Sequence, residues 1–171
     1  MSEVREATVE DIPGLVRLRG QMFAELRNDF GEAPFEDGWR DACAAALKER
    51  LAADDTRIAV VGDGAAGPIA CGMGVIDQRL PSPYNRTGRV GYIFGVITDP
   101  AHRHRGHARA IMKDLLAWFD ACGLDRVDLH ATEFGIPLYR SLGFTEHPEP
   151  TYTRKHPDQP HPSRPVQPDE M

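Results

Sequence analysis

Cysteine is scarce in this chain. The three cysteines, Cys43, Cys71 and Cys122, stand far apart in a sequence of 171 residues. No two of them have the spacing of zinc ligands, and an odd, scattered set does not suggest a disulfide framework. A cysteine nucleophile is disfavoured because no Cys–His arrangement is visible locally. We therefore expect the three thiols to be small side chains of the core.

An excess of positive charge and long apolar runs are also absent. The chain has 20 Lys and Arg against 26 Asp and Glu, with a net charge of −6, whereas general nucleic-acid binding requires a broad basic surface. No apolar run approaches the roughly 18 residues of a membrane span. Residues 1–11 contain acidic side chains where a signal peptide would have an apolar core. We expect a soluble, cytoplasmic protein that binds neither nucleic acid nor a membrane.

The sequence is organised as one domain and a short tail. Length and composition fit a single domain over residues 1–155, and the proline-rich residues 156–171 are expected to be flexible. Apolar periodicity predicts helices over 12–28, 39–53, 106–121 and 136–142, and strands over 4–8, 57–61, 69–77, 89–97, 126–131 and 151–155. A helix crossing between the strands 89–97 and 126–131 makes those two strands parallel. The pattern predicts a mixed α/β (α+β) domain in which helices flank a sheet.

Residues 98–112, TDPAHRHRGHARAIM, carry most of the functional information. An Arg-x-x-Gly-x-Ala core, made by Arg103, Gly106 and Ala108, follows an apolar strand and opens a helix. Amides of a first helical turn have no intrahelical partner, and together with the helix dipole they bind anions. Glycine permits an unusual backbone geometry there, and alanine adds little bulk. Two further arginines add positive charge, Arg105 and Arg109. The alternative is a basic loop that only caps the helix.

A second motif lies about thirty residues further along, where residues 137–144 read Pro-Leu-Tyr-Arg-Ser-Leu-Gly-Phe. The order of elements and motifs resembles the GCN5-related N-acetyltransferase (GNAT) family, which uses acetyl-CoA. This order is strand, V/I-x-T-x-P turn, R-x-x-G-x-A, helix, strand and L-Y-x-x-x-G-F. The motifs cover residues 88–155, and the rest agrees by layout. The resemblance implies a mostly antiparallel mixed sheet with a central pair of parallel strands. These strands splay apart near Val96 and admit the pantetheine arm.

The resemblance also implies which residues bind the coenzyme. Backbone groups of Val96, Ile97 and Thr98 would pair with the pantetheine, although a strand end satisfied by water is the alternative. The pyrophosphate would lie against a run of seven residues, namely Arg103, His104, Arg105, Gly106, His107, Ala108 and Arg109. Histidines 102, 104 and 107 invite a metal site. They stand where phosphate-binding amides are expected, so we predict no metal.

Tyr139 is the candidate general acid. A departing CoA thiolate benefits from a proton donor, and a phenol with a pKa of about 10 is protonated at neutral pH. In the family pattern the tyrosine of L-Y-x-x-x-G-F has this role, and Tyr139 matches its position. The alternative is a core aromatic whose hydroxyl is satisfied by hydrogen bonding.

The general base is less clearly indicated. Many family members carry a glutamate about eight positions before the proline that matches Pro100, and Tyr92 stands there in this chain. His130 is the candidate replacement, since it lies on the strand beside the splay and imidazole titrates near neutral pH. A structural histidine is the alternative at this position. Asp128 lies on the same alternation face, and Glu133 or Glu25 would act through water. The frequent Asn-x-x-Ala after this strand is missing.

Substrate contacts are expected from loops over the cleft and from acidic side chains. The candidates are Glu25, Asp29, Tyr92 and Phe134. The acidic ones favour a cationic amine, and the alternative is that they are solvated loop charges. We therefore expect an N-acetyltransferase that moves acetyl from acetyl-CoA to a primary amine of a small molecule or peptide in a ternary complex. By family habit a homodimer is expected. The alternative is a non-catalytic acyl-CoA-binding sensor or partner module. A nucleotide-binding protein is disfavoured because the chain lacks Gly-x-Gly-x-x-Gly and Gly-Lys-Ser/Thr.

Overall fold

The computed structural model describes residues 3–30, 38–62 and 66–154, without the side chains of residues 27–30. Within these ranges a sheet of five strands is flanked by four α-helices. In chain order the elements are β1 (Val4–Glu6), α1 (Ile12–Phe30), α2 (Trp39–Leu51), β2 (Thr56–Val61), β3 (Ala70–Gln78), β4 (Arg89–Thr98), α3 (His107–Ala121), β5 (Val127–Leu129) and α4 (Ile136–Ser141). The predicted mixed α/β class is confirmed. The predicted tail, residues 156–171, lies outside the described residues.

The sheet follows the order of the chain, β1-β2-β3-β4-β5. Its first three pairs are antiparallel, and only β4 and β5 run parallel in the described part of the chain. Helix α3 connects these two strands, as a crossover between parallel strands requires. The predicted parallel pair is thus present, and it lies at one end of the described strand order rather than at its centre.

The core has one layer on each face of the sheet. Strand β2 shows why, because all of its residues from Ile58 to Val61 are buried and successive side chains point to opposite faces. Ile58 and Val60 pack with the α1 and α2 side chains Leu15, Leu18 and Leu47. Ala59 and Val61 pack with the α3 side chains Ile111, Leu115 and Phe119. Two buried faces explain the continuous apolar run in this strand.

Three glycines let α3 approach the sheet closely. A Cβ at Gly72 would lie 2.5 Å from Ile111 Cγ2, and a Cβ at Gly74 or Gly91 would lie 2.8 Å from the ring of Phe119. These distances are shorter than a methyl group allows, so any larger residue would push the helix outwards. The close packing fixes the position of α3, and therefore of its first turn, relative to β4.

Two predicted strands differ most from the structure. The strand predicted over 126–131 is shortened to Val127–Leu129, because its pairing with β4 ends at the pair Ile93–Leu129. His130 therefore follows the strand and does not lie on it. The last predicted strand is wrong over its described residues 151–154, which form no regular structure. Tyr152 is 90% exposed, so this segment has no buried face that would stabilise a strand.

The cysteines pack as small apolar side chains. Cys71 is buried in the core, Cys43 and Cys122 are half-buried against it, and all three are free thiols. Burial raises the pKa of the Cys71 thiol to about 12, so this sulfur is not a thiolate at neutral pH. Among the described helices, none has the length and apolar character needed to cross a bilayer.

Candidate active site

The carboxyl-terminal half of β4 extends past its partner strand. Pairing with β5 ends at Ile93, whereas β4 continues to Thr98. A register irregularity against β3 inserts one extra β4 residue between Phe94 and Ile97, and Gly95 there has φ +62°. Such a bulge bends the strand and increases its local twist. The backbone of Val96–Thr98 is therefore left beside the point where the two parallel strands separate, as the resemblance implied.

A short turn connects β4 to α3 and is anchored to α1. The Asp99 carboxylate accepts a hydrogen bond from the Ala101 amide at 3.0 Å, and Arg17 donates to its other oxygen at 2.9 Å. The Ala101 amide and the Arg17 guanidinium lower the pKa of Asp99. Arg17 also donates to the Pro68 carbonyl at 2.9 Å. These bonds hold the turn in place before the first turn of α3.

The first turn of α3 provides amides without a side-chain cap. Gly106 is the N-cap residue, has φ +81° and offers no capping side chain. A Cβ placed on it would meet no atom of the described residues within 4 Å. His104, two residues earlier, also has a positive φ, 61°. Free amides beside open space at a helix N-terminus form an arrangement that can bind anions, and the phosphate cradle stays a prediction.

The three arginines of this region have different surroundings. Arg103 is bound by a 2.5 Å ion pair to Glu25 of α1, and its Nε donates to the Thr98 carbonyl at 3.3 Å. Arg105 and Arg109 are exposed and form no ion pair with described residues. Arg103 thus ties α1 to the end of β4, and the other two are free to meet an anion.

Two histidine nitrogens near the cradle have no hydrogen-bond partner among the described residues. His107 is 6% exposed and His102 is half-buried, and within that part of the chain the Nδ1 atom of each makes no hydrogen bond. The Nδ1 atom of His102 lies 3.7 Å from Asp99 Oδ1. Burial, followed by the charges of His102 and Arg105, lowers the pKa of His107. In the described part of the chain, no three His, Cys, Asp or Glu residues are grouped as metal ligands would be.

Tyr139 lies on α4 and packs between Gly135 and the core. Its ring meets the ring of Phe144 edge to face at 6.1 Å, and a Cβ on Gly135 would lie 2.6 Å from its Cε2. Burial raises the pKa of the Tyr139 phenol, so it keeps its proton at neutral pH. None of the described residues hydrogen-bonds its hydroxyl. The role of Tyr139 as the general acid stays a prediction.

Tyr92 and His130 are in direct contact, which the sequence did not predict. The Tyr92 hydroxyl lies 2.7 Å from His130 Nδ1, and His130 Nε2 lies 3.4 Å from Thr151 Oγ1. Tyr92 is paired across the parallel strands with Asp128, so His130, two residues later, shares the face of Asp128. That register is the signal from which the contact could have been found. The Asp128 carboxylate is itself held by Arg126 through two 2.9 Å hydrogen bonds.

The predicted substrate residues are only partly brought together. Glu25 reaches the cradle through Arg103, and Tyr92 reaches His130. Phe134 is 98% exposed in the loop between β5 and α4, and Glu133 beside it is exposed as well. The side chain of Asp29 lies outside the described residues.

Comparisons with known proteins identify a family and similar structures for this chain. A profile described as the acetyltransferase (GNAT) family matches residues 21–144. A curated relative, glucosamine 6-phosphate N-acetyltransferase of Trypanosoma brucei brucei, is 37% identical over 76 residues, which are 44% of this chain and 52% of the relative. The match thus spans about half the length of that relative.

Solved structures extend the likeness to most of the chain. A predicted acetyltransferase with acetyl-CoA from Clostridium acetobutylicum has a TM-score of 0.77 and 24% identity, over 90% of this chain and 96% of its own. A GCN5-related N-acetyltransferase from Ralstonia eutropha JMP134 has a TM-score of 0.75 and 29% identity, over 90% and 99%. Glucosamine-6-phosphate N-acetyltransferase from Arabidopsis thaliana has a TM-score of 0.70 and 17% identity, over 92% and 99%. The structures below 25% identity show the shared fold.

Proposed function

We propose that this chain, which belongs to the acetyltransferase (GNAT) family, transfers acetyl from acetyl-CoA to a primary amine by direct attack in a ternary complex. The family uses acetyl-CoA, and acetyl transfer is its general activity. The observation that carries the proposal is the uncapped first turn of α3, which follows the part of β4 that extends past its pairing with β5. The first turn of α3 would bind the diphosphate, and the end of β4 would bind the extended pantetheine arm.

The residues of the cradle fit acetyl-CoA. The amides of residues 104–108 would hold the pyrophosphate, with help from the exposed Arg105 and Arg109. Backbone groups of Val96–Thr98 would pair with the pantetheine, as another strand would. Open space beside Gly106 leaves room for the phosphates. From Thr98 back to Tyr92 the strand covers about 20 Å, comparable with the reach of an extended pantetheine arm.

The chemical step needs an acid and a base. The acceptor nitrogen attacks the thioester carbonyl, so a C–N bond forms and the C–S bond breaks. Tyr139 donates its proton to the departing thiolate, and burial keeps that phenol protonated until then. His130 accepts the proton that an ammonium acceptor must lose before it attacks. Neither step requires a covalent acyl-enzyme, and the buried Cys71 thiol is poorly suited to form one.

The acceptor is a small-molecule or peptide amine, and an amino sugar phosphate is the first to test. The T. brucei relative is named for glucosamine 6-phosphate, whose primary amine has the required chemistry. Glu25, Asp29, Tyr92 and Phe134 are proposed to contact the acceptor. Residues 1–155 would form the catalytic domain of a cytoplasmic homodimer, and sedimentation equilibrium measures the oligomer.

The test is thiol release from acetyl-CoA with a panel of acceptors: glucosamine 6-phosphate, polyamines, aminoglycosides, amino acids and peptides. The proposal predicts turnover with at least one acceptor and a ternary-complex kinetic pattern. Binding of acetyl-CoA without turnover would instead favour the acyl-CoA sensor, for which the replacement of the family glutamate by Tyr92 is the supporting observation. Absence of both binding and turnover would contradict both functions.

A further inference from the structure

The contact between Tyr92 and His130 links two parallel strands through side chains. The Tyr92 hydroxyl lies 2.7 Å from Nδ1 of His130, a short distance for a hydrogen bond between a phenol and an imidazole. The two rings meet edge to face at 5.6 Å. On the far side of the imidazole, Nε2 lies 3.4 Å from Thr151 Oγ1. A continuous line of polar atoms therefore runs from Tyr92 through His130 to Thr151.

Tyr92 is held at the edge of the splay. Its pairing with Asp128 is the last but one between β4 and β5. The last pair is Ile93 with Leu129, and no later described residue of β4 pairs with β5. The Tyr92 ring stacks on that of Phe94 at 5.9 Å, two residues nearer the bulge. His130 is exposed, so an acceptor entering the cleft meets this pair.

We propose that Tyr92 and His130 deprotonate the acceptor together, with the Tyr92 hydroxyl as the relay. The proposal rests on the function proposed above. An acceptor N–H bond breaks as an O–H bond forms at Tyr92, while the original Tyr92 proton passes to Nδ1 of His130. The positive charge moves from the ammonium to the imidazolium, whose Nε2–H faces the Thr151 hydroxyl. The neutral amine then attacks the thioester.

The surroundings explain why Tyr92 would pass a proton and not hold a charge. Burial, followed by the negative charge of Asp128, raises the pKa of the Tyr92 phenol. A phenolate is therefore disfavoured at neutral pH, and the proton must continue to the imidazole. The charged groups beside the pair are Asp128 of β5 and its partner Arg126, which precedes that strand. Arg126 also contacts His147, which is bonded to the backbone of Glu149 on the segment carrying Thr151.

Tyr92→Phe tests the relay, because it removes the hydroxyl and keeps the ring on Phe94. With an alkylamine acceptor at pH 7, kcat/KM should fall about 10²-fold or more, with unchanged acetyl-CoA affinity and melting temperature. With a weakly basic arylamine, which is already neutral, the loss should be small. Because the two groups act in one path, Tyr92→Phe combined with His130→Ala should be no worse than His130→Ala alone. Tyr152→Phe, which removes the hydroxyl of a 90% exposed tyrosine, is the matched control.

The pH profile gives a second readout that a structural role would not change. In Tyr92→Phe the acidic limb of kcat/KM should move towards the ionisation of the free acceptor amine. Full alkylamine activity in Tyr92→Phe, an equal loss with both amines, or multiplied losses in the double variant would overturn the relay. A wild-type protein that acetylates no acceptor would refute the proposed function itself, together with this inference. An active wild type with an equally active Tyr92→Phe would refute the inference alone.

Discussion

Substituting alanine for Gly106 separates the binding role of the cradle from its effect on stability. Gly106 has φ +81°, a conformation that costs an alanine about 1–2 kcal/mol. The lower entropy of the unfolded alanine variant offsets about 0.4–1 kcal/mol of this cost. In the described part of the chain, no atom lies within 4 Å of the new Cβ, so no clash there adds to this cost. We expect a net loss of about 1 kcal/mol, or roughly 2–4 °C in melting temperature.

Gly123 provides a matched control at the other end of the same helix. It has φ +74° and equally open space around a Cβ, so Gly123→Ala should lose the same stability. Acetyl-CoA at 100 times its Kd should stabilise the wild type and Gly123→Ala by about 2.7 kcal/mol. At the same concentration, a tenfold weaker Gly106→Ala complex should gain only about 1.4 kcal/mol. Differential scanning fluorimetry with and without acetyl-CoA measures both quantities. Equal ligand-induced shifts in the two variants would refute the cradle.

Three further predictions concern the acid, an ion pair and a buried histidine. Gly135→Ala should displace the Tyr139 ring and lower kcat as Tyr139→Phe does, without weakening the binding of acetyl-CoA. Unchanged turnover in Tyr139→Phe would eliminate Tyr139 as the acid. Asp11→Asn should cost about 1–3 kcal/mol at pH 7, because the Arg5 guanidinium lowers the pKa of Asp11. Urea titrations measure the difference in unfolding free energy between the wild type and Asp11→Asn, which should shrink as the pH falls from about 4 through the lowered pKa of Asp11. A difference that does not change with pH would contradict this prediction. Burial lowers the pKa of His107, so the free energy of unfolding should decrease as the pH drops below about 6.5. This decrease should be smaller in His107→Leu.

Elements with strong local patterns could be predicted from the sequence, and those that depend on neighbours could not. The amphipathic helix α3 begins within one residue of its prediction, since Gly106 and the apolar face are local signals. β5 is shorter than predicted because its end is set by where β4 bends away, and that bend is a property of the pair. The segment 151–154 has the composition of a strand and lacks a face to bury.

The candidate site divides in the same way. The uncapped turn at Gly106 follows from a contiguous motif, and the structure agrees with it. The ion pair of Arg103 with Glu25 joins residues 78 positions apart, and it depends on how α1 lies against the end of β4. Tyr92 and His130 were each singled out by the sequence, but in separate roles. Their contact follows from the parallel register of β4 and β5.

A crystal structure of this protein with acetyl-CoA tests the central claim most directly. The account predicts the pyrophosphate about 3 Å from the amides of residues 104–108, with the pantetheine paired to Val96–Thr98 and the acetyl group near Tyr139. A coenzyme bound elsewhere, or a cradle that stays empty at saturating acetyl-CoA, would contradict it.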